Sequence, residues 1–482
     1  MCSPSTFSPA RRGLLRAGAA TLAASPFVRA LAATAGDDYK ALVCVYLHGG
    51  NDAYNTVLAT DTTSWYAYHR ARAPAGSTSI ALAAPGTSPV AGAARGSPAA
   101  LGGVLPIALQ TPQAGRTFAL NPLLTRMRSL YGNRRIAVVS NVGTLREPTT
   151  VAGFKAATNK LPPKLFSHND QQMVWQSFEP TGATVGWGGR MAEMMAAGNG
   201  SAGAFTAVSP NGHALWLNGP TLAPCQISVD GAVRFDNATS PLFDSMSAWA
   251  QLRGVVASDT ETGTLERAYA DIGRRSMERG ALLGNALPVL PAATRYTSPN
   301  TGLATDNPLA QQLQAVARMI AARQTLGLKR QVFFVGLGGF DTHNGQNAGH
   351  AELMARLDHA LGGFHDTLAT LPSGDATGLV TTFTASDFGR SLVSNGDGTD
   401  HGWGGHHFVM GAAVRGGDLY GRFPAVGLDT ESDVGSGRLL PSLSVDQYGA
   451  TLARWFGVPD AQLGALFPNL ASFGTRDLGF MA

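Results

Sequence analysis

The sequence predicts an α/β fold in which helices flank a mostly parallel central sheet. Three apolar runs without polar alternation, at 40–47, 331–337 and 379–384, are typical of strands buried on both faces. A helical pattern over 348–371 separates the last two runs. Strands that alternate with helices along a chain favour parallel pairing, because the connecting helix returns the chain to the same end of the sheet.

The other elements are predicted in chain order from periodicity and turn residues. Apolar residues three to four apart indicate a helix, continuous apolar runs a strand, and Gly, Pro and Ser clusters a loop. These rules predict a surface insertion at 73–116, a helix at 122–131, a strand at 135–141, a loop at 166–170 that opens a helix, short strands and turns over 200–235, mostly helix over 240–326, a glycine-rich loop at 395–405 and an apolar segment at 406–414.

Composition excludes several classes of protein. The chain has 482 residues, of which 44% are hydrophobic and 14% charged, so it is neither disordered, nor a coiled coil, nor a small disulfide scaffold. Its net charge of +4 comes from four arginines within residues 1–35, which hold no acidic residue. The remaining chain has 32 basic and 32 acidic residues, and no basic stripe predicts binding to nucleic acid.

The first 35 residues have the order of an export signal. Arg11 and Arg12 precede a weakly apolar stretch at 13–26, and small residues at 30–35 offer two A-x-A cleavage sites. We therefore expect a twin-arginine (Tat) signal peptide at 1–35, export through the Tat translocase, and a periplasmic or secreted protein without a transmembrane segment. Residues 36–482 are predicted to form a single α/β domain, with insertions near 73–116 and 200–326 that form a helical and irregular cap.

Polar residues gather just after the predicted strands. Asp52, Asp341 and Asp387 each follow an apolar run, and the chain also places imidazoles at His343 and at 401–407. Because the carboxyl ends of parallel strands meet at one edge of a sheet, these groups are expected to converge. Imidazole and carboxylate ligands suit Zn²⁺ or Mn²⁺, whereas Ca²⁺ prefers carboxylates. Each of the three aspartates also has a structural role as an alternative: Asp52 could stabilise a turn, Asp341 could cap a helix, and Asp387 could form an ion pair with Arg390.

Several stretches together carry a family resemblance. They are Leu47–Asp52 (LHGGND), Ser167–Gln171 (SHNDQ), Gly186–Arg190 (GWGGR), Gly339–His343 (GFDTH), Ser386–Arg390 (SDFGR) and Asp400-His401. With them the chain resembles the Tat-exported family catalogued as domain of unknown function 1501, within the alkaline phosphatase–sulfatase superfamily. The resemblance implies an alkaline phosphatase-like fold.

The same resemblance implies a metal site and a nucleophile. The implied ligands of one or two divalent ions (Zn²⁺, Mn²⁺ or Ca²⁺) are Asp52, Asp341, His343, Asp387 and His401, with His406 or His407 as a substitute for the last. Ser167, activated by the metal or by His168, or else a metal-bound water, would attack, and Arg390 or Arg190 would stabilise the developing charge. The chain departs from the superfamily in two places: Phe388 stands where a histidine is usual, and Ser167 comes later in the chain than the usual nucleophile.

Two functions follow as expectations. The first is an exported metal-dependent hydrolase of a phosphate or sulfate ester. The second is a non-catalytic binding or assembly protein of the cell envelope that keeps the superfamily fold. Ser167 has a structural alternative as well, because a serine before a helix often caps its N-terminus.

Overall fold

The computed structural model describes residues 39–229, 245, 247–256, 258 and 263–482. The predicted signal peptide at 1–35 and part of the predicted cap lie outside the described residues. No helix within these ranges is both long and apolar enough to span a bilayer.

Short and long strands alternate with helices along the chain. The strands are β1 Lys40–Leu47, β2 Val57–Ala59, β3 Leu105–Ile107, β4 Phe118–Leu120, β5 Ile136–Gly143, β6 Ala207–Ser209, β7 Cys225–Gln226, β8 Tyr296–Thr297, β9 Ala304–Thr305, β10 Arg330–Leu337, β11 Val380–Ser386, β12 Arg390–Ser394, β13 Thr399–His401, β14 Gly405–Met410, β15 Leu419–Tyr420 and β16 Leu443–Ser444. The α-helices are α1 Thr62–Arg72, α2 Pro98–Leu101, α3 Thr125–Gly132, α4 Val151–Lys155, α5 His168–Ser177, α6 Trp187–Ala196, α7 Ser247–Val256, α8 Thr264–Ala286, α9 Pro308–Ala321, α10 Arg323–Leu326, α11 Gln346–Ala369, α12 Val445–Phe456 and α13 Asp460–Leu466.

A mixed, mostly parallel sheet forms the centre of the fold, as predicted. Its order among the described strands is β15-β5-β14-β11-β1-β10-β6-β7, and β16 also pairs with β5. The strands from β11 to β7 are parallel, whereas β14 runs antiparallel to both of its neighbours. All three long central strands, β1, β10 and β11, therefore end at the same edge of the sheet.

Strand β1 lies at the middle of the sheet because both of its faces are apolar. Ala41, Val43 and Val45 belong to one hydrophobic core, and Leu42 and Cys44 belong to the other. Helices α9 and α11 pack on the first core, and α6 and α12 on the second. A strand covered on both sides has no solvent-facing positions, which explains the absence of polar alternation in its sequence.

Two predicted segments differ from the structure. The region 240–326 includes, after α8, an extended stretch and the β8–β9 hairpin, so only part of it is helical. The glycine-rich loop at 395–405 contains strand β13, which pairs with β12 and places His401 opposite Arg390. This hairpin brings His401 back to the edge where the central strands end.

Candidate metal centre

Three chain segments converge at the carboxyl edge of the central sheet. The segment after β10 carries Asp341 and His343, helix α5 begins at His168, and the β12–β13 hairpin carries His401. We call these four side chains the histidine cluster. Pairing between parallel β1 and its two long neighbours fixes the edge, and the hairpin closes over it.

Ring nitrogens and one carboxylate meet at short distances in the histidine cluster. Nε2 of His401 lies 3.0 Å from Nε2 of His168 and 2.8 Å from Nε2 of His343. Asp341 Oδ1 lies 3.3 Å from His401 Nε2 and 3.2 Å from His343 Nε2, and Oδ2 lies 3.4 Å from His168 Nε2. One ligand atom each from His168, Asp341 and His401 fits within a 4.8 Å group. Such spacing is that of ligands about 2 Å from one ion.

The opposite ring nitrogens fix the orientation of two imidazoles. His401 Nδ1 lies 2.7 Å from the carbonyl oxygen of Phe166, and His168 Nδ1 lies 2.8 Å from Asp387 Oδ2. A carbonyl or carboxylate oxygen accepts, so each Nδ1 carries a proton, and a ring in its neutral form directs the Nε2 lone pair into the cluster. Two lone pairs 3.0 Å apart repel unless a proton or a cation lies between them. Histidine ligands of metal ions commonly have this outer arrangement.

Asp387, which the sequence predicted as a ligand, contacts the outer nitrogen of His168 and is not part of the group of facing ligand atoms. Its Oδ2 also accepts from Gln172 Nε2 at 2.8 Å and from the Gly49 amide at 3.2 Å, and the side chain is fully buried. It does not pair with Arg390. The hydrogen bond and charge of Asp387 raise the pKa of His168, whereas burial lowers the pKa of His401.

Arg390 holds Asp341, which corrects its predicted role next to a substrate. Its Nη1 donates to Asp341 Oδ1 at 2.6 Å and to the Gly49 carbonyl at 3.2 Å, and its Nε donates to Thr399 Oγ1 at 3.2 Å. The side chain is fully buried, so its donors face protein acceptors. Burial raises the pKa of Asp341, but the hydrogen bond and charge of Arg390 outweigh burial, and the pKa is lowered overall.

Asp52 lies outside the histidine cluster, contrary to the prediction. Arg72 of α1 binds both carboxylate oxygens, and Gln346 Nε2 donates to Oδ2 at 2.6 Å. The carboxylate also accepts from the Tyr54 amide at 3.1 Å, which is the turn role that its local sequence allowed. Burial raises the pKa of Asp52, but Arg72 more than compensates and the pKa is lowered overall.

His406 also lies elsewhere, so its predicted role as a substitute ligand is corrected. It belongs to the interior strand β14, where Nδ1 accepts from the Asn141 amide at 3.1 Å. Its ring stacks on Phe423 with centroids 4.5 Å apart, and burial lowers its pKa to about 3. A ring enclosed in this way is a neutral part of the core.

Ser167 is not directed at the histidine cluster. It occupies the N-cap position of α5 without making a side-chain cap hydrogen bond, and its Oγ donates to Asp170 Oδ2 at 2.7 Å. His168, which was predicted to activate Ser167, contacts Asp387 and His401 instead. The serine hydroxyl proton is thus used within the first turn of the helix.

Phe388 forms an apolar wall behind two of the imidazoles. Its ring centroid lies 4.8 Å from that of His168 and 4.9 Å from that of His401. Gly50 has a φ of +85°, and a Cβ there would come within 2.5 Å of the Phe388 ring. The wall therefore requires glycine in the turn after β1.

Sequence reasoning missed His168 as a potential ligand and the groups that orient it. The Ser-His-Asn-Asp stretch at 167–170 offered a signal, because it was one of the matched motifs. The Phe166 carbonyl and Gln172 had no local signal. Asp400 belonged to a matched stretch but was not predicted as a partner of His343, whose Nδ1 lies 3.4 Å from Asp400 Oδ1. Their roles depend on contacts between segments more than 50 residues apart in the chain.

The fold and the cluster define an α/β protein with a histidine–aspartate group at the carboxyl edge of its sheet. The sequence model of the family described as protein of unknown function (DUF1501) matches residues 39–444, and the chain belongs to this family. None of the curated proteins compared with it matches. A similar solved structure is Ps i-CgsB in complex with k-i-k-neocarrahexaose, at 9% identity and a TM-score of 0.30, covering 71% of this chain and 68% of that chain.

Proposed function

We propose that the histidine cluster binds a divalent metal ion in an exported hydrolase of phosphate or sulfate esters. The supporting observation is the convergence of Nε2 atoms from three histidines on Asp341, with the Nδ1 atoms of His168 and His401 already engaged by acceptors. A set rich in imidazole favours Zn²⁺ or Mn²⁺ over Ca²⁺.

The residues present fit the requirements of such a site. A divalent ion held there would neutralise ester oxygens and lower the pKa of a water molecule. Arg390 keeps Asp341 anionic, and Asp387 keeps His168 oriented. Asp341 and His343 have side chains 43% and 41% exposed, so an ester can approach from that side, while Phe388 excludes water from the other.

A single ion and an attacking water agree best with the surrounding contacts. The pairing of Asp52 with Arg72 removes one carboxylate from the ligands predicted for one or two ions. Ser167 donates to Asp170 and is not directed at the cluster. We therefore assign water, rather than Ser167, as the nucleophile of the proposed reaction.

The proposal has two further parts. The first is that the α/β fold is alkaline phosphatase-like, and the second is that the protein is exported through the Tat translocase to the periplasm or beyond. The central parallel strands with polar residues at their carboxyl ends support the first. The order of Arg11-Arg12, apolar stretch and cleavage sites supports the second. Replacing both arginines with lysine is expected to leave uncleaved precursor in the cytoplasm, and normal export of that variant would disprove the Tat assignment.

One observation favours the alternative, a binding or assembly protein of the cell envelope. Arg390, one of the two arginines predicted to stabilise charge on an ester, is fully buried and bound by protein acceptors. A metal-binding protein without turnover needs no such cation. Turnover by metal-loaded protein separates the two functions.

Metal analysis and an ester screen test the proposal. The mature chain is purified after growth with Zn²⁺, Mn²⁺ or Ca²⁺, analysed for bound metal, and assayed with aryl phosphates, phosphodiesters and aryl sulfates. We expect about one ion per chain, lost in His401→Gln and retained in the control His365→Gln, which lies on α11. Failure of the wild type to bind any of the three ions would refute the metal site; binding without turnover would favour the alternative.

A further inference from the structure

A cavity of about 320 Å³ adjoins the histidine cluster. Its polar lining residues include His48, Asn169, Gln172, Gln176 and Asn211. Apolar surface comes from Met173, Ala214, Leu215 and Phe334. Among the described residues that line it there is no Asp, Glu, Lys or Arg. A volume of a few hundred Å³ suits a small organic ligand.

One wall of the cavity is a face of helix α5. Asn169, Gln172 and Gln176 are spaced three and four residues apart, so they lie on the same side of the helix. The helix begins at His168, and Gln172 Nε2 donates at 2.8 Å to Asp387 Oδ2, the oxygen that also contacts His168. The cavity and the histidine cluster are thus adjacent, because helix α5 contributes residues to both.

On the opposite wall of the cavity, Gly336 leaves room for two polar side chains. A Cβ on Gly336 would lie 2.5 Å from Asn211 Nδ2 and 2.9 Å from His48 Nε2. The absence of that carbon lets both polar side chains pack against strand β10. The His48 ring also packs against Tyr46 and Phe334, with centroids 4.6 and 6.2 Å away.

Polar groups of the cavity keep hydrogen-bonding capacity. Within the described part of the chain, the side chains of His48, Asn169 and Asn211 make no hydrogen bond, although amides and imidazoles can make several. Burial lowers the pKa of His48, so at neutral pH its ring offers both a donor and an acceptor.

The side chains that line the cavity favour some classes of ligand over others. A strongly anionic or cationic group would find no counter-charge on the walls, and a wholly apolar group would leave the polar atoms of His48 and Asn211 without a partner. The apolar side chains of the lining can pack against the carbon skeleton of a ligand. Hydroxyl groups both donate and accept, and they match neutral amides and imidazole without a net charge.

We infer that this cavity binds the uncharged, hydroxyl-rich part of the substrate, such as a sugar ring or another polyol, while its ester group reaches the histidine cluster. The placement of the ester rests on the proposed function. Binding of the polyol does not require turnover and can be measured by itself.

The test uses the metal-loaded mature chain and saturation-transfer NMR. The probes are methyl β-galactoside, methyl β-glucoside, N-acetylglucosamine and myo-inositol, with cyclohexylmethanol as an apolar control of similar size. Asn211→Leu keeps the volume of the side chain and removes its hydrogen bonds, and the matched control is Asn133→Leu at an exposed position outside the cavity. We expect at least one polyol to bind the wild type and the control, and to bind Asn211→Leu about tenfold more weakly, the effect of one lost hydrogen bond.

A second variant guards against misfolding. His48→Phe keeps the ring packing and removes the ring nitrogens, and it should weaken the same polyol similarly. Metal content should be unchanged in both variants, because within the described part of the chain the His48 ring packs on Tyr46 and Phe334, and the Asn211 amide lies against Gly336. Binding of none of the four polyols to the wild type, or equal binding to all variants, would overturn the inference. Absence of ester hydrolysis with Asn211-dependent polyol binding would refute the proposed function and still support the cavity assignment.

Discussion

The contact between Asp387 and His168 offers a sharp test of the metal centre. In Asp387→Asn, the amide oxygen can occupy the position of Oδ2 and keep its three hydrogen bonds, from His168, Gln172 and the Gly49 amide. The amide nitrogen then takes the position of Oδ1, which has no hydrogen-bond partner among the described residues. The substitution therefore removes a negative charge while it preserves shape and most contacts.

We expect Asp387→Asn to lower only the affinity of the protein for the metal ion. An outer carboxylate makes its histidine a stronger ligand, and loss of such a partner typically weakens metal binding 10- to 100-fold, which is about 1.4–2.7 kcal/mol. Only one of the three imidazoles of the cluster contacts Asp387, so complete loss is not expected. Direct removal of a ligand, as in His401→Gln, should cost more.

Competition against a chromophoric chelator at pH 7.5 measures the dissociation constant. The matched control is Asp358→Asn, another buried aspartate whose carboxylate accepts from backbone amides of Arg126 and Met127, away from the cluster. The control should bind metal like the wild type. Wild-type affinity in Asp387→Asn, with equal melting of the metal-free proteins, would show that Asp387 does not support a ligand.

Three further predictions concern other parts of the structure. Arg72→Met leaves the buried carboxylate of Asp52 without its cation, so it should lower the free energy of unfolding, measured by urea titration, by about 3–5 kcal/mol. The double variant Arg72→Met/Asp52→Asn should recover part of this loss, and no recovery would contradict the ion-pair explanation. Ser167→Ala should keep metal content and turnover, with a small change in melting temperature from the lost contact with Asp170, whereas a fall in turnover by orders of magnitude would restore Ser167 as nucleophile. Burial raises the pKa of Asp446 to about 7, so the contribution of this carboxyl group to stability is complete in acid and is lost as pH rises through 7. The difference in unfolding free energy between Asp446→Asn and wild type should grow in favour of the variant by about 2 kcal/mol from pH 5 to 7, and a difference independent of pH would contradict burial as the cause.

Much of the fold was predictable because burial requires runs of apolar residues, which are visible in the local sequence. Strands predicted at 331–337 and 379–384 appear as Arg330–Leu337 and Val380–Ser386, since a strand covered on both faces must be apolar throughout. The hairpin formed by β12 and β13 was not predicted. Its glycines indicated a loop, and the pairing of Arg390 with His401 depends on contacts that local propensity does not contain.

The same distinction between local sequence and distant contacts applies to the candidate site. By itself the sequence determined that carboxylates and imidazoles follow the central strands, because apolar runs and the polar residues after them are local features. Only the tertiary structure decided which partner each group meets: Asp52 meets Arg72, Asp341 meets Arg390, and Asp387 meets His168, 219 positions away. A buried carboxylate must be paired or hydrogen-bonded, and the nearest available cation or donor is set by packing between distant segments rather than by neighbours in the chain.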